Sequence, residues 1–180
     1  MRRIGSFQRG FTLVELVIAF VIIGLLVALA VTQFNPSKSK GQALHALMSE
    51  YGGALQLMKT DTACYPTRLD ALFNSASAST SFCGVSLVGQ WNGPYANRAA
   101  ADSSGNLLLN NISPGLTLTI VRQAGGIGQQ YLLRATSVPN EVIAQALVAC
   151  NGSATAAGRC TGTPGASGTG TLDLLFDEVL

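Results

Sequence analysis

Charge is what this sequence has least of. Asp, Glu, Lys and Arg make up 11% of its 180 residues, against about 25% in an average globular protein. Arg98, Arg122 and Arg134 stand apart and form no basic cluster, so no nucleic-acid partner is expected. Histidine is nearly absent: His45 is the single one, and it sits far along the chain from any cysteine. The nine carboxylates are dispersed, and Ser and Thr concentrate in a Gly-rich stretch that could not hold a nucleophile still. The glycine-rich Ala124-Gly125-Gly126-Ile127-Gly128 lacks the Lys and following helix of a phosphate cradle. These absences exclude an enzyme, and no cofactor and no bound metal are expected. A surface so thinly charged suits a subunit enclosed by copies of itself better than a solitary soluble protein.

Hydrophobic residues, by contrast, reach 48%, and the chain is organised around one run of them. From Leu16 to Val31 no residue is polar, with Gly24 the only member that is not plainly apolar. That length approaches the ~20 residues a bilayer-spanning helix needs. Glu15 stands just inside the run, and a carboxylate there costs about 2–3 kcal/mol unless something answers it. A cut after Gly10 would give Phe11 a new α-ammonium four residues away. In a stack of such helices, one subunit's carboxylate could pair with the next subunit's amine. Two plainer readings compete. One is a secretory signal peptide with Ala28-Leu29-Ala30 as its cleavage site, opposed by Glu15 and by the lack of a turn-former before Ala28. The other is a single-pass anchor with an incidental Glu.

The run Arg9-Gly10-Phe11-Thr12-Leu13-Val14-Glu15-Leu16, behind a short basic leader and ahead of a long apolar tail, resembles the processing and assembly signal of type IV prepilins and type II secretion pseudopilins. The resemblance implies that a prepilin peptidase cleaves after Gly10 and methylates Phe11, and that Glu15 is the assembly residue. It implies a leader over residues 1–10 and a helical stem over 11–60. The hydrophobic part, 11–34, would serve as membrane anchor and fibre core, and residues 61–180 would form the head. Losing Arg2, Arg3 and Arg9 from the eleven Lys and Arg leaves eight, against nine Asp and Glu, so the positive balance belongs to the leader.

Cys64, Cys83, Cys150 and Cys160 all follow the apolar run. An even count in an exported domain reads as disulfides. Four cysteines allow three pairings, and Cys64–Cys83 with Cys150–Cys160 close the shortest loops. Zinc is the rival reading, but the cysteine gaps are long and lack C-x-x-C spacing.

Further along, Phe34-Asn35-Pro36 predicts a kink or an unwound turn. Leu44, Leu47, Met48, Tyr51, Leu55 and Met58 then form one apolar stripe on a helix over residues 37–59. Gly52-Gly53 weakens that helix by about 1 kcal/mol each relative to Ala and would allow close packing. Pro66 ends it. The chain is then loop-like to Asn97, with one short helix over residues 68–73. Tyr65-Pro66-Thr67 and Trp91-Asn92-Gly93-Pro94-Tyr95 are similar to the loop after the stem in major pseudopilins. Asp102-Ser103-Ser104-Gly105-Asn106 sits where those proteins carry calcium ligands, but one carboxylate falls short of a site needing six to eight oxygens.

Strands are expected over residues 106–109, 116–120, 130–134 and 172–176, with a hairpin loop at 124–128 and a helix over 140–149. Residues 153–170 read as flexible apart from Cys160. This order of elements is similar to the C-terminal part of some type IVb pilins.

The expectation is an α+β pilin fold, in which a long N-terminal helical stem packs on an antiparallel sheet head. Its function would be a pilin that polymerises with copies of itself into a type IV pilus. It would sit in the inner membrane as a single-pass protein beforehand, handled by the prepilin peptidase and the inner-membrane pilus assembly machinery, and reach the cell surface in the fibre. A minor pilin, a secretion pseudopilin, or a membrane-tethered adhesion module that never polymerises are the alternatives.

Overall fold

The computed structural model describes residues 12–33, 35–126, 128–155 and 157–179, with side chains on the first helix described through Ala28. They form two compact units, one ending at Pro36 and the other beginning at Ser37.

The first unit is helix α1, Leu13–Gln33, about 30 Å long at 1.5 Å per residue. Its start is capped, because the hydroxyl of Thr12 accepts a hydrogen bond from the Glu15 N–H at 3.2 Å. That satisfies one of the donors a helix leaves open at its N-terminus. Thr12-Leu13-Val14-Glu15 therefore has the spacing of a capping box. Helix α2, Pro36–Thr62, follows. Pro36 is its first residue, where a missing N–H costs no helical bond. The expected kink is thus a boundary between two helices, with Asn35 outside both; Phe34 lies outside the described residues.

The second unit is a five-stranded antiparallel sheet covered by α2. The strands are β1, Leu107–Leu108; β2, Thr117–Ala124; β3, Gln129–Pro139; β4, Cys160–Thr163; and β5, Thr169–Val179, in the spatial order β1-β2-β3-β5-β4. Helix α3, Asn140–Asn151, joins β3 to β4. The last strand therefore lies between its predecessors, pairing with both. Period-two alternation puts Leu118, Ile120, Leu133, Ala135, Leu172, Leu174 and Phe176 on the buried face. The stripe of α2 meets them: Leu44, Met48, Leu55 and Met58 are at most 1% exposed, and Leu47 is half-buried against the same core. Gly52 crosses over β5 closely enough that a Cβ there would lie 3.1 Å from the Cβ of Phe176. At the other end of α2, Gly41 lies against the backbone of Gln145 and Ala146 in α3.

Residues 153–170 depart from expectation. They hold β4, which pairs with residues 171–174 of β5. Low complexity forbids no strand when an adjacent strand edge offers unpaired backbone groups. The strand expected at 106–109 contracts to Leu107–Leu108, and the helix at 68–73 is a 3-10 turn over Leu69–Leu72. Two further 3-10 turns, Ser75–Ser79 and Val88–Gln90, shape the loop after α2.

Candidate functional site

On α1 every described side chain from Leu13 to Ala28 is exposed. Twelve of them are large and apolar, from Leu13 at 80% and Phe20 at 66% to Ile23 at 55% and Val27 at 56%. Covering one such side chain is worth about 1.5–3 kcal/mol, so the driving force to cover this helix is on the order of 20 kcal/mol. An apolar helix polar nowhere but at its first turn demands lipid, protein or both on all sides. Glu15 lies in that first turn and is exposed. Its backbone N–H is held by Thr12, while its carboxylate is left to an outside partner, near the positive end of the helix dipole. Gly10 and Phe11 lie outside the described residues. Among the described residues no helix is long and apolar enough to cross a membrane, the described side chains of α1 ending at Ala28.

The head that α1 would carry is stapled at two places. Cys64 is bonded to Cys83, with Cα atoms 6.2 Å apart, and Cys150 to Cys160, with Cα atoms 6.1 Å apart. The first bridge closes the loop leaving α2, whose sides also meet through Pro66 and Ser81. The second ties the end of α3 to the start of β4. Asn151 reinforces it, donating to the Cys160 carbonyl at 2.8 Å and accepting from the Cys160 N–H at 3.2 Å.

A polar cluster fixes the top of α2 to the sheet. Asp177 Oδ2 on β5 accepts from Lys59 Nζ and from Tyr65 Oη, both at 2.6 Å. Burial alone would raise the Asp177 pKa, but these two bonds more than offset it and hold the carboxyl below its usual range. The Tyr65 hydroxyl is pushed up, by burial first and by the Asp177 bond second. Its ring lies 4.5 Å from that of Tyr131 and 5.3 Å from that of Phe176. Sequence reasoning missed this cluster. Lys59 and Asp177 are 118 residues apart, and no local pattern links them.

A cleft of about 630 Å³ opens beside the second loop, lined by Asp70, Phe73, Arg98 and Asp102 among others. It brings a second carboxylate near Asp102, which the sequence did not suggest. Both are engaged already. Asp102 Oδ1 accepts from the N–H groups of Ser104 and Asn106, and Oδ2 from Asn106 Nδ2. Asp70 takes a two-pronged bond from Arg68 and another from Ser77. Burial would raise the Asp70 pKa, yet Arg68 and Ser77 leave it lowered.

His45 needs correction. Distant in sequence from the cysteines, it is brought by the fold beside the second bridge, and its ring nitrogen and the sulfurs of Cys150 and Cys160 all lie within 4.8 Å of one another.

Comparison with known proteins agrees with the N-terminal reading. Residues 5–31 match the family described as the prokaryotic N-terminal methylation motif. The chain is similar to the type II secretion system core protein G of Escherichia coli (strain K12), 34% identical over 102 residues, covering 55% of this chain and 68% of that protein. It is similar to the core protein G of Klebsiella pneumoniae, 38% identical over 76 residues, 39% of this chain. It is also similar to that of Aeromonas hydrophila, 36% identical over 77 residues, 40% of this chain. The chain spans about half the length of these last two, 54% of each. No solved structure matches it.

Proposed function

Since this chain belongs to the type IV pilin-like family, with its similarity running to the major pseudopilins of type II secretion, we propose that it is cleaved between Gly10 and Phe11 and polymerises with copies of itself through α1 into a type IV pilus at the cell surface. The observation that carries polymerisation is the fully exposed apolar α1 with Glu15 in its first turn. Before assembly the lipid of the inner membrane covers that helix; afterwards the same helices of neighbouring subunits do. In the apolar core of the fibre, Glu15 pairs with the Phe11 ammonium of the next subunit. The prepilin peptidase and the inner-membrane assembly machinery are the partners this route requires.

The pilus reading draws support from the disulfide-closed C-terminal region, in which α3 is bridged to β4, similar to the arrangement in some type IVb pilins. A second reading, a secretion pseudopilus, is favoured by the names of the similar proteins. Shearing native cells and identifying the filament protein by mass spectrometry separates them. Abundant filaments of this chain, beginning at methylated Phe11, support the pilus. Absent filaments with impaired protein export in a deletion strain support the pseudopilus.

Glu15→Ala tests polymerisation itself. Losing one partner of a buried ion pair costs about 3–5 kcal/mol, so filament yield should collapse while processed subunit accumulates in the membrane. Normal filaments from Glu15→Ala would refute the pairing.

A further inference from the structure

The second disulfide lies against an imidazole that nothing in filament assembly uses. His45 projects from α2 toward the point where α3 ends and β4 begins, half-buried, with its Nε2 3.4 Å from the hydroxyl of Ser49. One nitrogen of its ring and the two sulfurs of Cys150 and Cys160 lie within 4.8 Å of one another. We propose that Cys150–Cys160 is the oxidised form of a zinc site completed by His45, so that the reduced chain binds one Zn²⁺ through two thiolates and one imidazole, with water in the fourth position.

The chemistry of the donor set fits. Two thiolates and one histidine with an open fourth place are a known zinc pattern, with Zn–S near 2.3 Å and Zn–N near 2.0–2.1 Å. Tetrahedral geometry at those lengths spaces the ligand atoms roughly 3.4–3.8 Å apart. The three atoms are already within about an ångström of that spacing, and side-chain rotation at the three sites closes the difference.

The scaffold does not depend on the bridge. Asn151 holds both the N–H and the carbonyl of Cys160, and β4 is paired with β5 over four residues. On the other side, Gly41 packs directly on Gln145 and Ala146 and keeps α2 against α3. Reduction therefore leaves two thiols and a ring facing one another on three elements held by other means.

The steps balance. A water-soluble phosphine supplies two electrons to the S–S bond and takes oxygen from water, giving phosphine oxide and two thiols. Zn²⁺ then displaces both thiol protons to solvent, as thiolate ligation requires. The metal would join the end of α3 to β4, as the bridge does, and would add α2 to the joint.

The test uses the full chain in detergent micelles, oxidised or reduced with phosphine under anaerobic conditions, and titrated with Co²⁺ followed by Zn²⁺. The reduced chain should show thiolate-to-cobalt charge transfer and tetrahedral cobalt bands at one metal per chain. Zn²⁺ should erase both, releasing two protons per zinc bound. The oxidised chain should show neither band. His45→Ala should weaken binding by more than about 100-fold, the upper end of what even outer-shell partners of a metal contribute. Cys150→Ser with Cys160→Ser should abolish the bands. Absence of the bands in the reduced wild type overturns the proposal, as does unchanged affinity in His45→Ala. Bands that survive in the double Ser variant assign the signal to Cys64 and Cys83 and overturn it too. Loss of the native near-ultraviolet circular dichroism on reduction, not recovered with Zn²⁺, does the same, because the site needs α2, α3 and β4 in place.

Discussion

Three glycines on α2 meet three different environments, so one substitution made at each should change stability in different directions. Alanine is worth about 1 kcal/mol over glycine in a helix interior, and that gain is common to all three. At Gly53 a Cβ meets nothing within 4 Å, so Gly53→Ala should keep the whole gain. At Gly52 the Cβ would sit 3.1 Å from the Cβ of Phe176. The sheet must give by a few tenths of an ångström, and the gain should be roughly cancelled. At Gly41 it would lie 2.6 Å from the Cβ of Gln145 and 2.8 Å from the backbone nitrogen of Ala146. Backbone cannot rotate away, so α2 and α3 must separate. Overpacking costs about 1–3 kcal/mol, and a backbone clash belongs in the upper part of that range. Net destabilisation of about 1–2 kcal/mol remains after the helical gain is subtracted. For a chain of this size, 1 kcal/mol moves Tm by about 2–4 °C. Thermal unfolding of the full chain in detergent, followed by near-ultraviolet circular dichroism, reads the right unit, because Trp91 and all four tyrosines lie beyond residue 37. The expected order of Tm is Gly53→Ala, then wild type together with Gly52→Ala, then Gly41→Ala. A Gly41→Ala protein as stable as Gly53→Ala would refute the close approach of α2 and α3.

Ala63, just past α2, has φ of 60° and is exposed, and its N–H closes a bond to the Lys59 carbonyl at 2.8 Å. Left-handed backbone costs a non-glycine residue roughly 1–2 kcal/mol, so Ala63→Gly should raise stability by about 1 kcal/mol; an unchanged or lower Tm would contradict the cap geometry. Asp177, Asp70 and Asp102 all have lowered folded pKa values. Their contribution is therefore complete above the unfolded value of about 3.9 and is lost as pH falls through the lower folded values. Acid unfolding should steepen below about pH 4, and Asp177→Asn should flatten it; a profile identical to wild type would remove Asp177 from the account. The raised Tyr65 pKa has the opposite sense. Stability should decline above about pH 10, the unfolded tyrosine value, and Tyr65→Phe should lessen that decline as read by the same thermal assay.

What the sequence by itself determined was whatever repeats over a few residues. The apolar run with Glu15 is legible because every residue of α1 obeys one rule, and the stripe from Leu44 to Met58 because a helix returns to the same face every third or fourth residue. Alternation in residues 117–120 and 172–176 announces strands for the same reason, and Gly152 with φ of 79° ends α3 where a stop was expected. The signal before Glu15 could be read as an ordered set of unlike parts, although Gly10 and Phe11 lie outside the described residues. Only the tertiary structure decided which strands are neighbours. The place of β5 between β3 and β4 follows from backbone groups at two strand edges, and these carry no side-chain signature. The same holds for β4: Cys-Thr-Gly-Thr has no periodicity, and it is a strand because β5 offers residues 171–174 to pair with. Gly41, Gly52 and Gly53 look alike in sequence and differ only in what faces them. Lys59 with Tyr65 and Asp177, and His45 with Cys150 and Cys160, are brought together across more than a hundred residues. Their proximity is a consequence of the packed core rather than of any local preference, because a contact between distant residues exists only once the intervening chain has folded.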